Sequence, residues 1–318
     1  MGSELGTGKV GIAFNQEAAM TASIVCVGNA TLDRIWRVAA LPRSGDKIRS
    51  ENYLEVGGGQ AANAAVAAAR LGGTVSLICA IGSDMIGTAI LDGLRAEHVD
   101  LASVHFVDGA RSISSAILVE HGGERAIIGD VDPRLHAKAP SLDLACLAKA
   151  QTVLADVKWP AAAEQVLREA RKRGIPTVLD IEPAAAGNHA RLVPLADHAI
   201  FGQSGLANFT GTEDFDAGLQ IAFSRLGKVV GVTLGPRGVR LLSVDGPVSV
   251  PAPKITAVDT TGAGDAFHGA YALAIAEGQE CTAAARFASA VAALKCTKPG
   301  GRAGLPTRAE LERFMAGT

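Results

Sequence analysis

The sequence predicts an α/β fold in which a mainly parallel central sheet is covered by helices on both faces. Short apolar runs alternate with alanine-rich runs of helical length along most of the 318 residues. This alternation favours parallel pairing, because each helix returns the chain to the same end of the sheet. A chain of this length can form one large domain. We therefore expect a single buried sheet between two helical layers.

The alternation can be followed element by element. The segment 23–30 (SIVCVGNA) predicts a buried strand, and 60–72 (QAANAAVAAARLG) predicts a helix that ends at Gly72. A strand over 74–82 and a helix over 85–99 follow. The later predicted strands are 152–157, 176–181, 197–202 and 228–235, and the later helices are 161–174 and 281–294.

Two stretches, about 34–56 and 111–129, break this rhythm. Both alternate apolar and polar side chains, with turn residues at Pro42–Gly45 and Gly122–Gly123. This pattern predicts antiparallel strands inserted between layers of the α/β core. We expect them to form a small sheet that covers the active-site end as a lid.

The bulk composition excludes several classes of protein. The net charge of −2 gives no overall attraction to nucleic acid or to an anionic membrane. The five cysteines are scattered, which argues against a disulfide framework or a zinc site. No apolar run reaches the ~18 residues of a membrane span. Residues 1–20 lack the basic start and apolar core of a secretory signal, so we expect a cytoplasmic location. We also expect a disordered extension over residues 1–22 and a folded domain over 23–318.

The segment 257–270 (AVDTTGAGDAFHGA) carries the clearest chemistry. A glycine-rich turn that leads into a helix presents free backbone N–H groups and the positive end of the helix dipole, an arrangement that stabilises phosphate. Asp265 at the helix start can accept a proton from an attacking hydroxyl. A bare G-x-G-D is also explained by a helix cap with glycines for packing, but the complete D-T-T-G-A-G-D is far more specific.

This turn is similar to the signature of the PfkB (ribokinase-like) family of sugar kinases. The resemblance implies a ribokinase-like three-layer sandwich that transfers the γ-phosphate of ATP, with Mg²⁺, to a sugar hydroxyl. It also implies that Asp265 is the catalytic base and that Asp259 and Thr261 hold a monovalent cation such as K⁺. The residues whose amides hold the γ-phosphate correspond to Gly262, Ala263 and Gly264.

A second family signature lies at 56–73 (VGGGQAANAAVAAARLGG). By the resemblance, Gly58, Gly59 and Asn63 contact sugar hydroxyls, and Asp33 in GNATLDRI accepts hydrogen bonds from them. Glycines let a substrate lie against the backbone, and an amide both donates and accepts. Taken alone, this segment is also explained by a glycine-rich strand-to-helix turn. A dinucleotide-binding site is a weaker explanation, because the first such turn has no G-x-G-x-x-G.

The nucleotide segment of the family corresponds to 232–239 (VTLGPRGV). The resemblance places Thr233, Gly235 and Gly238 near the phosphates or the ribose of ATP. The segment 292–306 is similar to the loop that flanks adenine and the monovalent cation. The resemblance extends over about residues 22–314, nearly the whole chain.

One departure concerns magnesium. Many family members carry N-x-x-E before a Thr-Gly turn, and the corresponding positions here are Gly202 and Gly205. We therefore expect ATP itself to organise Mg²⁺, with Asp180 or Glu182 as helpers through water.

Within the family, the segments EVGGG, LADVKWP and ASAVAALKCTKPGGRAGLP are similar to the sulfofructose kinase branch. The resemblance implies phosphorylation of 6-deoxy-6-sulfofructose at its 1-hydroxyl. Lys47 matches a lysine of the sulfonate pocket, Lys158 replaces its arginine, and Gly129 stands where asparagine is expected. Lysine keeps the charge of arginine but loses its bidentate geometry. Both lysines are alternatively ordinary solvated surface residues.

Other functions stay open at this point. The chain could phosphorylate another sugar or sugar phosphate, such as ribose, fructose phosphate or tagatose phosphate. A catalytically silent protein that senses nucleotide or sugar is disfavoured, because a sensor does not need the base Asp265. Family members often dimerise through their lids, so we expect a homodimer, with a small-molecule sugar as substrate and no nucleic-acid or membrane partner.

Overall fold

The computed structural model describes residues 21–137 and 141–317, so the predicted extension lies almost entirely outside the described residues. The strands are β1 Ser23–Val27, β2 Thr31–Val38, β3 Asn52–Gly58, β4 Thr74–Ile78, β5 Ala80–Gly82, β6 His105–Val107, β7 Ser114–Glu120, β8 Arg125–Asp130, β9 Thr152–Asp156, β10 Thr177–Ile181, β11 His198–Gly202, β12 Val229–Thr233, β13 Val239–Ser243 and β14 Gly246–Val250. The α-helices are α1 Gln60–Arg70, α2 Met85–Arg95, α3 Pro160–Lys172, α4 Ala186–Leu192, α5 Gln203–Thr210, α6 Phe215–Leu226, α7 Ala263–Ala276, α8 Cys281–Cys296 and α9 Arg308–Ala316.

An eight-stranded central sheet confirms the predicted α/β class. Its strand order is β14-β13-β12-β11-β10-β9-β1-β4. The strands from β4 to β12 pair in parallel, whereas β13 and β14 extend the sheet as an antiparallel edge. Because parallel strands share one direction, the residues that follow β1, β9, β10 and β11 meet at the same edge of the sheet. The candidate site lies at this edge.

Helices cover both faces of the central sheet. Ile24 and Cys26 of β1 pack into a core with α1, α2, α7 and α8, whereas Val25 and Val27 pack into a core with α3, α5 and α6. Successive side chains of a strand point to opposite faces, so nearly every residue of these strands is apolar and buried. Helices α1 and α7 approach closely, since a Cβ at Gly269 would overlap the Ala64 carbonyl. This packing produces the three layers that were predicted.

The two irregular stretches form a second sheet of order β3-β2-β7-β8. Each hairpin, β2 with β3 and β7 with β8, is antiparallel as predicted. Strands β2 and β7 join the two hairpins as a parallel pair, which the prediction of antiparallel strands did not include. The long connection between β2 and β7, which includes α1 and α2, makes this parallel pairing possible.

The strand predicted over 74–82 is divided at Cys79. Strand β4 belongs to the central sheet, but β5 leaves it and pairs with β6. No helix in the described part of the chain combines the length and the hydrophobicity that a membrane span requires.

Candidate active site

The start of α7 presents backbone N–H groups at the site edge of the sheet. Gly262 precedes the helix in the left-handed conformation (φ 74°), and no side chain caps this end. The first helical hydrogen bond runs from Ala266 N to Gly262 O, and Ala263 N donates to Thr260 O. The amides of Gly264 and Asp265 lie before this first helical bond, which leaves them available to an anion. The structure thus gives the predicted Ala263 amide a partner within the turn.

Gly264 and Gly269 of α7 differ in the space around their Cα atoms. A Cβ at Gly269 would overlap backbone of α1, so glycine is required there for helix packing. A Cβ at Gly264 would meet no atom of the described residues within 4 Å. Packing within the protein therefore does not explain Gly264, whereas close approach of a ligand to the helix start does.

The carboxyl group of Asp265, in the first turn of α7, is buried and has a shifted pKa. Burial, helped by the negative charge of Asp180, raises the pKa of the Asp265 carboxyl to about 7. A hydrogen bond from Asn63 Nδ2 to Asp265 Oδ2, 2.7 Å long, acts in the opposite direction. A carboxylate with a pKa near the working pH is well suited to accept a proton and return it later.

Arg302 was missed by the sequence analysis, although it lies within a quoted motif. Its side chain is buried, and Arg302 Nε donates to Asn63 Oδ1 at 3.3 Å while Nη2 donates to Gly58 O at 3.2 Å. A guanidinium only donates, so it directs the amide oxygen of Asn63 toward itself and the Nδ2 group toward Asp265. A Cβ at Gly57 would overlap the guanidinium, which explains glycine at that position.

Of the predicted sugar-binding residues, Asp33 and Gly58 lie in strands of the second sheet. Gly59 and Asn63 lie at the start of α1, whereas Lys47 and Lys158 are exposed and lie outside the strands and helices. The Asp33 carboxylate accepts a hydrogen bond from Thr31 Oγ1 at 3.1 Å. Burial raises the pKa of Asp33, and the hydroxyls of Ser115 and Thr31 counteract this. A Cβ at Gly58 would overlap the Asp33 carboxylate, and Gly59 has a positive φ of 91°. These glycines therefore also have structural reasons to be glycine.

Asp156 at the end of β9 is a second residue that the sequence analysis missed. Its buried carboxylate accepts hydrogen bonds from the backbone amides of Asn29 (2.8 Å), Ala61 (3.2 Å) and Lys158 (2.8 Å). Burial raises the pKa of Asp156, and these three hydrogen bonds oppose the shift. Asp156 therefore ties the end of β1 to the start of α1. The available signal was an aspartate at the end of a short buried strand, TVLAD.

Asp180 and His268 form a buried pair near Asp265. His268 Nδ1 lies 2.8 Å from Gly264 O, and because a carbonyl only accepts, Nδ1 carries the hydrogen. His268 Nε2 lies 3.5 Å from Asp180 Oδ1. Burial raises the pKa of Asp180 well above its ordinary range and lowers the pKa of His268. Neither of the two facing atoms has a hydrogen-bond partner in the described structure.

The positions that lack the family's N-x-x-E motif have a structural explanation. A Cβ at Gly202 would overlap Glu182 Oε1, and a Cβ at Gly205 would overlap the Ile181 carbonyl. Glu182, which directly follows β10, therefore places its carboxylate in the space that a side chain at 202 would occupy. Together with the unpartnered oxygen of Asp180, this donor set of hard oxygens fits Mg²⁺. No cluster of three or more metal-ligating side chains occurs among the residues described.

The three predicted nucleotide residues line one cavity of about 430 Å³. Its wall also includes Gly264 and Phe267 of α7, so the cavity continues to the free amides of the turn. Its volume and mostly apolar lining suit a small molecule with an aromatic ring. Gly238 has a positive φ of 88°, and a Cβ there would overlap the Val250 carbonyl. The cavity brings together Thr233, Gly235 and Gly238.

Two cationic side chains approach the D-T-T-G turn. Arg125 of β8 extends from the second sheet, and its Nη1 donates to Thr261 Oγ1 at 3.1 Å. Lys295 of α8 is fully buried, and its Nζ donates to Asp259 O at 2.8 Å. Burial lowers the pKa of Lys295, whereas the negative charge of Asp259 raises it. Neither residue was singled out from the sequence, because neither contact is local.

A proton acceptor beside free helix amides, with a cavity leading to them, defines the site of a phosphotransferase. The pfkB family carbohydrate kinase profile matches residues 21–308, and the chain belongs to that family. It is therefore an ATP-dependent carbohydrate kinase. Its sequence is 29% identical over 307 residues to the ribokinase of Bacillus subtilis, covering 92% of this chain and 99% of that protein.

Solved structures show the same fold. A protein of Agrobacterium tumefaciens that carries a provisional ribokinase assignment matches with a TM-score of 0.89 and 38% identity, covering 94% of this chain and 98% of that one. The ribokinase of Arabidopsis thaliana, solved with ribose and ATP, matches with a TM-score of 0.83 and 27% identity, covering 93% and 99%. These matches confirm the predicted ribokinase-like fold.

Proposed function

We propose that this kinase transfers the γ-phosphate of ATP to a primary hydroxyl of a ketose with an anionic far end. The first candidate is 6-deoxy-6-sulfofructose, which would give its 1-phosphate. The observation that carries this proposal is the position of Lys158 at the carboxyl end of β9. Its side chain is exposed, and its backbone amide donates to Asp156 Oδ1 at 2.8 Å, which holds Lys158 at the site edge of the sheet.

Asp265 is the general base of this reaction. It removes the proton of the sugar hydroxyl as that oxygen attacks the γ-phosphorus, a new O–P bond forms, and the bond to the β-phosphate oxygen breaks to release ADP. The amides of Gly264 and Asp265 stabilise the charge on the transferring group. The cavity that includes Thr233 and Gly238 holds the adenosine part of ATP. Arg125 supplies a positive charge from the second sheet.

Asp180 and Glu182 would hold the magnesium ion of Mg·ATP, directly or through water. Mg²⁺ supplies neutralisation of the phosphate charge when it is bound. These carboxylates stand at the end of β10, next to the neutral imidazole of His268. We propose that these two carboxylates do the work of the N-x-x-E motif, whose positions are occupied here by Gly202 and Gly205.

The second sheet supplies the sugar-binding side of the site and acts as a lid. Asp33 of β2 lies opposite Ser115 of β7, which lies opposite Gly129 of β8, so these three residues share one face of the second sheet. Arg125 shares this face, because side chains two residues apart in a strand point the same way, and its contact with Thr261 orients the face toward α7. Gly129 leaves open space there. Lys47 lies on the exposed loop between β2 and β3, from which closure of the lid would bring it to the sulfonate.

Ribose is the second candidate acceptor. The observation in its favour is the similarity to proteins named ribokinase, including the structure solved with ribose and ATP. Ribose is neutral, so it gives no role to the charge of Lys158. The two candidates therefore predict opposite effects of removing that charge.

A substrate panel tests the proposal. Purified protein is assayed for ADP formation with 6-deoxy-6-sulfofructose, fructose 6-phosphate and ribose. We expect the highest kcat/KM with sulfofructose. We expect Lys158→Met and Lys47→Met to lower that value at least about tenfold, as expected for losing one charge-assisted hydrogen bond. The control Lys172→Met removes an exposed lysine of α3 that pairs with Glu169.

The outcomes separate the candidates. Losses with sulfofructose alone support the anion pocket. A preference for ribose, with no effect of either lysine, rejects the anion pocket and supports ribose. Equal losses with charged and neutral sugars would show that the lysines contribute to folding rather than to specificity.

We further propose a homodimer formed by the outer faces of the second sheets. The register places Trp36, Tyr53, Leu118 and Ile128 on the face opposite to Arg125. Ile128 is 70% exposed and Tyr53 is 46% exposed. An apolar surface of this kind on a two-sided sheet is typical of a protein interface.

A further inference from the structure

The turn at Asp259 and Thr261, predicted to bind a monovalent cation, already has cationic partners from the chain itself. Lys295 Nζ donates to Asp259 O at 2.8 Å, and Arg125 Nη1 donates to Thr261 Oγ1 at 3.1 Å. Both predicted ligands therefore face a positive charge of the protein. This arrangement does not fit an alkali cation at the same place, because two like charges would compete for one set of oxygens.

Lys295 is built into this position. It lies near the end of α8, and its side chain has no exposed surface. A buried ammonium is costly unless oxygen atoms compensate it. The Asp259 carbonyl provides such an oxygen, and the negative charges of Asp259 and Asp265 act on the same ammonium. The charge of Lys295 thus belongs to the phosphate turn rather than to the surface.

The neighbouring loop leaves room for the lysine. A Cβ at Gly304 would lie 3.3 Å from Lys295 Cε and close to the carbonyls of Gly300 and Lys298. A larger residue at 304 would press on the lysine side chain, so glycine is suited to this position. Asp259 is fixed independently, since its two carboxylate oxygens accept hydrogen bonds from Thr261 N (2.8 Å) and Gly300 N (2.9 Å).

We propose that the Lys295 ammonium permanently replaces the monovalent cation in this kinase. A lysine ammonium is a compact point charge with three donors, so it can bind carbonyl oxygens as a small cation does. Phosphotransfer by this chain therefore needs no K⁺. The inference rests on the kinase activity of the proposed function, but not on which sugar is the acceptor.

The wild-type protein tests the proposal first. Initial rates are measured with K⁺, Na⁺ or tetramethylammonium as the added cation, at constant ionic strength so that general screening is unchanged. Each rate uses the best acceptor of the substrate panel, and ATP is added as its tetramethylammonium salt. We expect kcat/KM to vary less than about twofold, a difference of about 0.4 kcal/mol. Activation by K⁺ of about tenfold or more would overturn the proposal.

Variants of Lys295 test whether removal of the ammonium makes the enzyme depend on K⁺. Lys295→Ala removes the ammonium and leaves space beside the Asp259 carbonyl. We expect this variant to be weakly active in tetramethylammonium and to gain at least about tenfold in kcat/KM with K⁺. Lys295→Met fills the space without a charge and should gain much less. Lys298→Ala is the matched control, because Lys298 directly follows α8, three residues after Lys295, but pairs with Glu310.

Thermal unfolding provides a readout that needs no turnover. We expect K⁺ to raise the Tm of Lys295→Ala relative to tetramethylammonium, because an ion that binds the folded state stabilises it. The Tm of the wild type and of Lys298→Ala should not respond. A folded Lys295→Ala that K⁺ neither activates nor stabilises would overturn the replacement. If all sugars fail as acceptors, the Tm series still decides the cation question, so this failure is distinct from failure of the proposed function.

Discussion

Asn63 Nδ2 lies 2.7 Å from Asp265 Oδ2, although the two residues are 202 positions apart in the sequence. The contact joins the glycine-rich start of α1 to the phosphate turn of α7. It stabilises the ionised carboxylate against the burial that raises its pKa to about 7. The Asp265 carboxyl, which we propose as the base, is therefore divided between its two protonation states near neutral pH.

The pH dependence of the reaction follows from this position. Asp265 must be ionised to accept the proton, so we expect kcat/KM for the sugar to rise with pH through an acidic limb centred at about 7. A pH–rate profile with saturating Mg·ATP measures this limb. A flat profile between about pH 5.5 and 8.5 would contradict the assignment.

Replacing the base should stabilise the fold while it abolishes activity. The raised pKa means that the folded state holds a proton that the unfolded chain has already lost, so stability falls as pH rises from about 4 to about 7. Asp265→Asn removes this cost. Above pH 7 the free energy of unfolding of the variant should therefore exceed that of the wild type by at most about 4 kcal/mol. Denaturant unfolding of both proteins should show a higher free energy of unfolding for the variant at about pH 8. This difference should shrink by more than half at about pH 5. A variant less stable than the wild type at both pH values would contradict the burial argument.

Arg302 should act on the base through Asn63. Without the guanidinium, the Asn63 amide is no longer held with Nδ2 toward Asp265, and a nearby positive charge is lost. We expect Arg302→Met to lower kcat about tenfold or more and to move the acidic limb to higher pH. Arg70→Met is the control, because Arg70 holds the same loop through Leu305 O and pairs with Glu97. An unchanged acidic limb in Arg302→Met would leave Arg302 with a purely structural role.

Gly264 should be required for ATP and not for folding. Gly264→Val places a branched side chain in the open space in front of the free amides. We expect kcat/KM for ATP to fall at least about tenfold with little loss of Tm. Gly187→Val in α4, another glycine with open space around its Cβ position, is the comparison. If Gly264→Val kept normal ATP kinetics, the phosphate would bind elsewhere.

The outer face of the second sheet should control assembly. Ile128→Asp places a charge in the proposed interface, where an unpaired buried charge is costly. We expect light scattering after size exclusion to show a dimer for the wild type and a monomer for Ile128→Asp. Ile127→Asp, on the opposite face of the same strand, should stay dimeric. A monomeric wild type, or two variants that behave alike, would reject this interface.

The sequence predicts the central sheet and the phosphate turn because both are encoded locally. Alternating strands and helices specify the three layers, and Gly262 to Asp265 are adjacent residues of one turn.

The contacts of Arg302 and Lys295 were not predictable in the same way. Arg302 reaches Asn63 across 239 positions, and Lys295 reaches Asp259 across 36. Such contacts depend on how layers pack, as does the parallel pairing of β2 with β7. The expected K⁺ at Asp259 came from resemblance alone, and the resemblance did not include the contact of Lys295 with the Asp259 carbonyl.

The most direct test of the account compares binding and chemistry in Asp265→Asn. Calorimetry measures ATP affinity, and rapid-quench experiments measure phosphoryl transfer to the best acceptor of the substrate panel. We expect an ATP Kd within about threefold of the wild type and a transfer rate lower by at least ~10²-fold, as for loss of a positioned general base. Near-normal transfer by a variant that still binds ATP would contradict the central claim that Asp265 is the catalytic base.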